Sequence, residues 1–562
     1  MRRKLGYILS SATTTEALFE SREEMENNVR EGILVVVESG GGRILGSVTR
    51  IEVYNEFYEP GSVWAESIRR DQLPPKQVAR RYMVARIQFY GCITPNGLVA
   101  VDKPPEPGAV VYEAAEEDLE PLYGYKPGTP TPEHVIEIGD LYGYSNASVP
   151  LRIDRVTMHF AVLGVTGSGK SNTTGVIIEE LGNKKSIRIG GFSARTLPVI
   201  VFDANGDYLD YYEKPDLVPS FNVMRLVFPH MTTNIQQTSA TLEPLLLNLN
   251  VFRESVNELA EAIYALVRGG AGEGMELQID LLVRALNSVL DPDSAPDEVR
   301  TLARNAIRRC PYTDRGVDLN CLFGTDRGIE IFRDIIENHE AHTSTKAAVK
   351  RTVSVFYEKM KKFGLLPTGL EEGINEEFVD DITNPEEPCL AIVDFSPEGA
   401  AGVDLRLKQF VVYYLARLFL NKFIEYKTQG KQRAALMIVE EAQNYLPNQR
   451  EYPLGYSVAR SVLALVATQG RKFGLSLALV TQRPSFVDPV VLSMMNTFIV
   501  HRVSSGDVKF VQLATGGLPR HLASKLPVLE TGLAIIIGQM SPFPYPVLAK
   551  IRRRKSHAAG SI

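Results

Sequence analysis

The chain has 562 residues, so at roughly 100–200 residues per domain it should fold as about three domains or subdomains. Hydrophobic residues make up 44% and charged residues 23%, which excludes a largely disordered chain. Lys and Arg number 61 against 67 Asp and Glu, a net charge of −6 that excludes a globally basic nucleic-acid coat but not a local basic channel.

The chain opens on a basic run, Met1–Lys4, and the apolar stretch after it, Leu5–Leu9, is too short for a signal-peptide core. No apolar run long enough to span a membrane follows, so the expectation is a cytoplasmic protein without a membrane partner. Cys92, Cys310, Cys321 and Cys389 form no C-x-x-C pair. Neither a zinc site nor a disulfide framework is expected, and scattered buried thiols suit a reducing compartment.

Residues 1–145 read as short strands. The segments 32–38 and 43–53 flank the glycine-rich Ser39-Gly-Gly-Gly42, a hairpin signal, and 82–90 and 109–112 are further β-branched or aromatic runs. Several such strands predict a small N-terminal β-barrel. The proline-rich stretch Tyr123–Pro132 predicts a linker.

From Leu151 strands alternate with helical patterns, which predicts an α/β fold with a parallel sheet. The predicted strands are His159–Leu163, Pro198–Asp203, Cys389–Asp394, Ala434–Val439, Leu475–Thr481, Thr497–Val503 and Leu533–Ile537. Residues 146–232 and 386–562 are assigned to the core. Residues 233–385, with apolar residues at helical spacing and no evident strand, are assigned to a helical insertion.

After the first core strand comes Gly164-Val-Thr-Gly-Ser-Gly169-Lys170-Ser171, which fits G-x-x-x-x-G-K-[ST] and leads into a helical run. Glycines let backbone N–H groups wrap phosphates, Lys170 would reach the β- and γ-phosphates, and the Ser171 hydroxyl would ligate Mg²⁺. Next, Asp203-Ala-Asn-Gly206-Asp207-Tyr208 contains the D-x-x-G of GTPases. No guanine-reading N-K-x-D accompanies it, so an adenine nucleotide, ATP, is expected, and the DEAD- and DExH-box acids are absent as well. Lys346, Lys350 and Arg351, in the insertion, read as a solvated helix face.

The strand 436–439 delivers Glu440-Glu441-Ala442. With a P-loop upstream, Glu440 would hold the Mg²⁺ shell and Glu441 would polarise the attacking water, provided the chain turns between them, because successive strand side chains face opposite ways. The usual first residue is Asp, so Glu440 departs from the pattern. An acidic helix start explains the pair equally well when it is taken alone. Arg471, in Arg471-Lys-Phe-Gly474, is a candidate arginine finger, with a solvated basic turn as the alternative. Gln482, at the end of the next strand, sits where a γ-phosphate sensor would.

Together the P-loop 164–172, Glu440-Glu441-Ala442, Arg471-Lys-Phe-Gly474 and Gln482-Arg-Pro-Ser485 resemble HerA proteins of the HerA/FtsK superfamily. The opening Leu5-Gly-Tyr-Ile-Leu-Ser-Ser-Ala-Thr-Thr14 is similar to that family's barrel, shared with ATP synthase subunits. The resemblance covers about residues 1–60 and 150–552 and is thin over the insertion. It implies a RecA-like P-loop ATPase core and a hexameric double-stranded DNA translocase or helicase, working with a NurA-type nuclease on DNA ends in recombinational repair. It implies nucleotide binding by Gly164, Gly167, Ser168, Gly169, Lys170, Ser171, Asn172, Lys550 and Ile551. It further implies Walker B acids at Glu440 and Glu441 and a finger at Arg471 that acts across the subunit boundary. The histidine usual after E-E-A is Gln443 here. The alternatives are a secretion-type ATPase of the same superfamily and a non-translocating switch ATPase.

Overall fold

Alternating apolar residues close the first strands into a barrel. The strands are β1 (Lys4–Ile8), β2 (Glu16–Ser21), β3 (Leu34–Ser39), β4 (Gly42–Asn55), β5 (Arg81–Thr94), β6 (Gly97–Val99) and β7 (Val110–Glu113). They run in the order β2-β1-β7-β3-β4-β5, all antiparallel, and β5 pairs back onto β2, so six strands form a closed ring with β6 appended to β5. Leu5, Phe19, Val35, Val37, Val48, Ala85, Ile87 and Val111 fill its interior, the period-2 face of each strand. The glycine hairpin is seen in register, with Ser39 opposite Gly42. The structure is a computed structural model. It describes residues 2–556 except 41, 60, 63–66, 68, 73–80, 96, 127, 145–146, 271–274, 313–315, 368–372 and 453–455.

By internal contacts the chain forms two units. The first comprises Met1–Ile153, Gly167–Gly169 and Thr497–Arg552, and the second Asp154–Thr166, Lys170–Asn496 and Arg553–Ile562. The predicted linker is therefore internal to the first unit. There Tyr123 ends the helix Glu116–Tyr123, is buried, and donates its hydroxyl to the Ser148 carbonyl at 2.5 Å. The chain then forms the antiparallel pair β8 (Val135–Leu141) and β9 (Ser148–Arg152).

The second unit holds β10 (Phe160–Leu163), the small hairpin β11 (Ile187–Ile189) and β12 (Phe192–Ala194), β13 (Val199–Asp203), β14 (Asn222–Val227), β15 (Thr241–Pro244), β16 (Cys389–Asp394), β17 (Ala435–Val439) and β18 (Leu475–Thr481). Apart from the hairpin these strands pair in parallel in the order β15-β14-β16-β13-β17-β18-β10. Every residue of β10, β13, β16, β17 and β18 is buried, as in a sheet covered on both faces. Returning to the first unit, β19 (Thr497–Val500), β20 (Leu533–Gly538) and β21 (Val547–Ile551) are antiparallel, and β21 pairs with β8. The last two predicted strands, β19 and β20, run antiparallel to each other, so they do not both continue the parallel sheet as expected. Short apolar runs carry no signal of direction.

The region 233–385 is mostly helical, from Val256–Arg268 through Thr343–Phe363 to Glu376–Ile382. It also contains β15, which the sequence hid because a four-residue edge strand ending in proline has little apolar pattern. A second correction concerns the cysteines. Cys310 and Cys321 form a disulfide, while Cys92 and Cys389 are free thiols. Cys310 caps the helix Asp297–Arg309, and the bridge pairing of Pro311 with Val317 folds the chain back so that the two Cα atoms lie 5.5 Å apart. Lys346 and Lys350 bond to the Glu337 carbonyl and carboxylate, as a solvated helix face does. Among the described residues no helix is long and apolar enough to cross a membrane.

Candidate nucleotide site

Parallel strands gather chemistry at their C-terminal ends, and four adjacent strands do so here. The order β13-β17-β18-β10 brings Asp203, Glu440, Gln482 and the start of the P-loop to one edge of the sheet in the second unit. Leu163 pairs with Thr481, and the Gly164 amide donates to the Thr481 carbonyl at 3.2 Å, so the phosphate loop leaves its strand beside the Gln482 strand end. There Thr166 donates its hydroxyl to Gln482 Oε1 at 2.5 Å. Lys170, first residue of the helix Lys170–Gly182, donates to the Val165 carbonyl at 3.2 Å. Burial draws the Lys170 pKa down, and the charges of Glu441, Glu440 and Asp207 oppose that shift.

Ser171 donates its hydroxyl to Asp207 Oδ2 at 2.8 Å. Asp203 shapes the turn that presents Asp207. Its Oδ1 accepts from the Gly206 and Asp207 amides at 2.8 and 3.0 Å, and its Oδ2 from the Tyr208 amide at 2.9 Å. Burial pushes the Asp203 carboxyl up to about 6 against those hydrogen bonds. Tyr208, fully buried, donates its hydroxyl to Glu440 Oε1 at 2.5 Å. The other Glu440 oxygen, Oε2, is buried with no hydrogen-bond partner, and burial pushes this carboxyl well above the usual carboxylate range, with Asp203 the next cause.

The chain turns between the two acids. Glu441 has φ 47° and ψ 47°, a left-handed conformation that costs a non-glycine residue roughly 1–2 kcal/mol. Its Oε2 accepts from Gln443 Nε2 at 2.6 Å, and Gln443 Oε1 accepts from the Thr481 hydroxyl at 2.7 Å. Arg471 stands elsewhere. It is exposed, forms no ion pair among the described residues, and precedes β18, whose far end carries Gln482.

In the first unit the crest of the P-loop rests on the turn before β20. The Thr531 hydroxyl donates to the Gly167 carbonyl and the Gly532 amide to the Ser168 carbonyl, both at 3.1 Å. The Ile551 amide donates in turn to the Gly532 carbonyl at 2.9 Å, so Ile551 is one residue removed from the P-loop crest, while Lys550 pairs across to Asp140 and Leu533. In the second unit the segment after residue 552 docks on the P-loop helix. The Arg554 amide donates to Asn172 Oδ1 at 2.9 Å, Arg554 Nη1 to the Asp207 carbonyl at 2.6 Å, and the Lys555 amide to the buried Glu179 at 2.6 Å. Asp207, Tyr208, Thr531 and Arg554 were not singled out as site residues from the sequence. Only Asp207 and Tyr208 carried a signal, as the tail of Asp203-Ala-Asn-Gly206-Asp207-Tyr208.

A profile described as "Helicase HerA, central domain" matches residues 136–419, about half of the chain. The chain belongs to the HerA helicase family. Across nearly its whole length it is similar to the DNA double-strand break repair helicase HerA of Sulfolobus acidocaldarius, 26% identical over 99% of this chain and 94% of that protein. The HerA of Pyrococcus furiosus is 25% identical over 94% of this chain and 90% of its own. Among solved structures, VirB4 of Thermoanaerobacter pseudethanolicus covers 75% of this chain and 97% of its own at 12% identity and a TM-score of 0.45.

Proposed function

We propose that this HerA-family chain is an ATP-driven double-stranded DNA translocase and helicase. It works as a homo-hexamer beside a NurA-type nuclease and prepares DNA ends for recombinational repair. The observation that carries the reading is the placement of Arg471. It lies before β18 and Gln482 after it, and the seven residues of β18 at about 3.3 Å each span roughly 20 Å, farther than any side chain reaches. Arg471 therefore does not serve the Gln482 end of its own sheet, whereas an exposed guanidinium with no carboxylate partner among the described residues suits a neighbour's nucleotide. A finger given in trans makes hydrolysis depend on assembly and couples it to movement between subunits. The names of the curated relatives support the DNA substrate, and the HerA resemblance supports the ring and the nuclease.

Mg²⁺ takes one or two protein oxygens, phosphate oxygens and several waters, and the buried, unpartnered Glu440 Oε2 and the Ser171 hydroxyl fit that demand. Bound there, the ion would neutralise charge on the β- and γ-phosphates. The chain does the rest. Lys170 and the amides of the P-loop hold the phosphates. Gln482 senses the γ-phosphate, Glu441 takes the proton of the attacking water, and Arg471 of the next subunit stabilises the transferring phosphoryl group.

The test has two arms. Native mass measurement should give six chains per particle with ATP analogue bound, and a blunt duplex carrying a protein roadblock should lose it only with hydrolysable ATP. A monomer at saturating nucleotide, or a roadblock left in place while ATP is consumed, would sink the translocase reading in favour of a switch ATPase.

A further inference from the structure

The feature of the second unit that the proposed chemistry leaves unexplained is His159. It stands immediately before β10, the strand that carries the P-loop, and the sequence placed it inside that strand. Instead it has φ 63°, an unusual conformation for a non-glycine residue, and is 2% exposed. Its Nδ1 accepts the Leu477 amide of β18 at 2.9 Å, so the neutral ring carries its proton on Nε2. That Nε2 faces the Ala467 backbone without reaching full hydrogen-bond geometry, and it has no other partner among the described residues. Burial, reinforced by the nearby Arg471 charge, holds the ring down to about 4, so it is neutral at ordinary pH.

Ala467 lies in a π-helical turn, Val466–Gly470, that runs directly into Arg471. Such turns are rare and cluster at functional positions. The exit of this one is closely packed. A side chain at Gly470 would strike the Leu475 carbonyl, and Gly474, at φ 90°, would drive a side chain into the Arg433 carbonyl. Backbone packed this closely on both sides of Arg471 leaves the turn little room, so a change at Ala467 bears on Arg471. The imidazole thus touches β18 with one nitrogen and faces the finger turn with the other, while its backbone begins the P-loop strand.

We propose that His159 is a positioning residue for Arg471: it links the base of the P-loop strand to the π-helical turn and sets where the guanidinium is offered. The proposal rests on the reading of Arg471 as a finger. It concerns the subunit that donates the finger, not the one whose P-loop receives it.

The test uses His159→Asn in the full chain. Asn tolerates positive φ and its Oδ1 can replace Nδ1 as acceptor for Leu477, but nothing reaches toward Ala467. ATP affinity should be unchanged and kcat should fall about ten- to a hundredfold, the scale of a misplaced catalytic group. Mixing then gives a direction. With subunit exchange confirmed by mass, His159→Asn subunits mixed with Lys170→Ala subunits should regain turnover, because the second supplies good fingers to the P-loops of the first. The same subunits mixed with Arg471→Ala subunits should not, because they are then the only finger donors. Unchanged kcat, or equal recovery in both mixtures, or recovery in neither, overturns the proposal. If Arg471→Ala alone keeps full turnover, the finger reading has failed, and this inference with it. Should thermal unfolding show that His159→Asn does not fold, His159→Gln is put through the same mixtures and judged by the same outcomes.

Discussion

Replacing Glu441 by Gln separates catalysis from architecture more cleanly than any other change at this site. The carboxylate accepts one hydrogen bond, from Gln443 Nε2 at 2.6 Å, and the Gln443 amide is oriented by the Thr481 hydroxyl at 2.7 Å. A glutamine at 441 can present its own carbonyl oxygen to Gln443 and keep that bond. Hydrogen bonds to charged groups are worth roughly 1.5–3 kcal/mol and neutral ones roughly 0.5–1.5, so the exchange costs about 1 kcal/mol of stability. Loss of a negative charge that bears on the buried Glu440 offsets part of it. The left-handed φ of 47° is unaffected, since Gln meets the same backbone cost as Glu.

Chemistry is where the exchange should be felt. A positioned general base contributes about 10²–10⁴ in rate, which is roughly 3–5 kcal/mol of barrier. The catalytic loss should therefore exceed the structural loss several-fold. ATP should bind near parental affinity and persist unhydrolysed, while phosphate release at saturating ATP falls by at least about a hundredfold. Thermal unfolding on the same preparation checks that the fold is intact. Turnover reduced by less than about tenfold, with the protein folded, would refute Glu441 as the base and leave its backbone conformation without a functional account.

Three further outcomes follow. Lys170→Ala removes a charge-assisted phosphate contact and should weaken ATP binding itself by about ten- to a hundredfold, measured calorimetrically, unlike Glu441→Gln. The Cys310–Cys321 bridge closes a separation of 11 residues, so Cys310→Ser should cost about 2–3 kcal/mol in chemical unfolding of the insertion, and only Cys92 and Cys389 should titrate as thiols in the unfolded, unreduced protein. His159, neutral in the fold with a pKa near 4 against about 6.5 unfolded, contributes stability that is complete above pH 6.5 and lost as pH falls toward 4. Relative to its value at pH 7, the stability advantage of the parent over His159→Asn should shrink by about 3 kcal/mol at pH 4 in denaturant titrations, and a pH-independent difference would contradict the buried neutral ring.

Much of the fold was legible because it rests on patterns that a chain shows locally. The barrel strands alternate, β13, β16, β17 and β18 are short unbroken apolar runs, and Gly164–Ser171 follows one such run and opens a helix. What escaped is what depends on partners distant in sequence. Strand direction was lost where β20 runs back against β19, an antiparallel pairing that leaves no mark on composition. The disulfide was lost because Cys310 and Cys321 meet only through the bridge between Pro311 and Val317. His159 looked like the first residue of a strand because sequence does not display φ.

The same distinction explains which parts of the site were found. Residues proposed to meet the nucleotide directly would be constrained by its phosphates, and such residues fall into motifs: Lys170, Ser171, the pair Glu440-Glu441, Gln482. Residues that hold those residues answer only to a neighbour in this chain. Tyr208 is constrained by a single oxygen of Glu440, Gln443 by Thr481 on one side and Glu441 on the other, and Asp203 by the amides of its own turn. Many side chains can supply one hydrogen bond, so no fixed spacing announces them. Gln443 makes the point from the opposite direction. It departs from the histidine that the HerA pattern leads one to expect, yet its neutral amide can accept from Thr481 and donate to Glu441 at once, as a neutral imidazole can with its two nitrogens. A substitution that reads as a loss in the motif keeps the relay in the structure, and it removes from that relay the one group that would titrate near neutral pH.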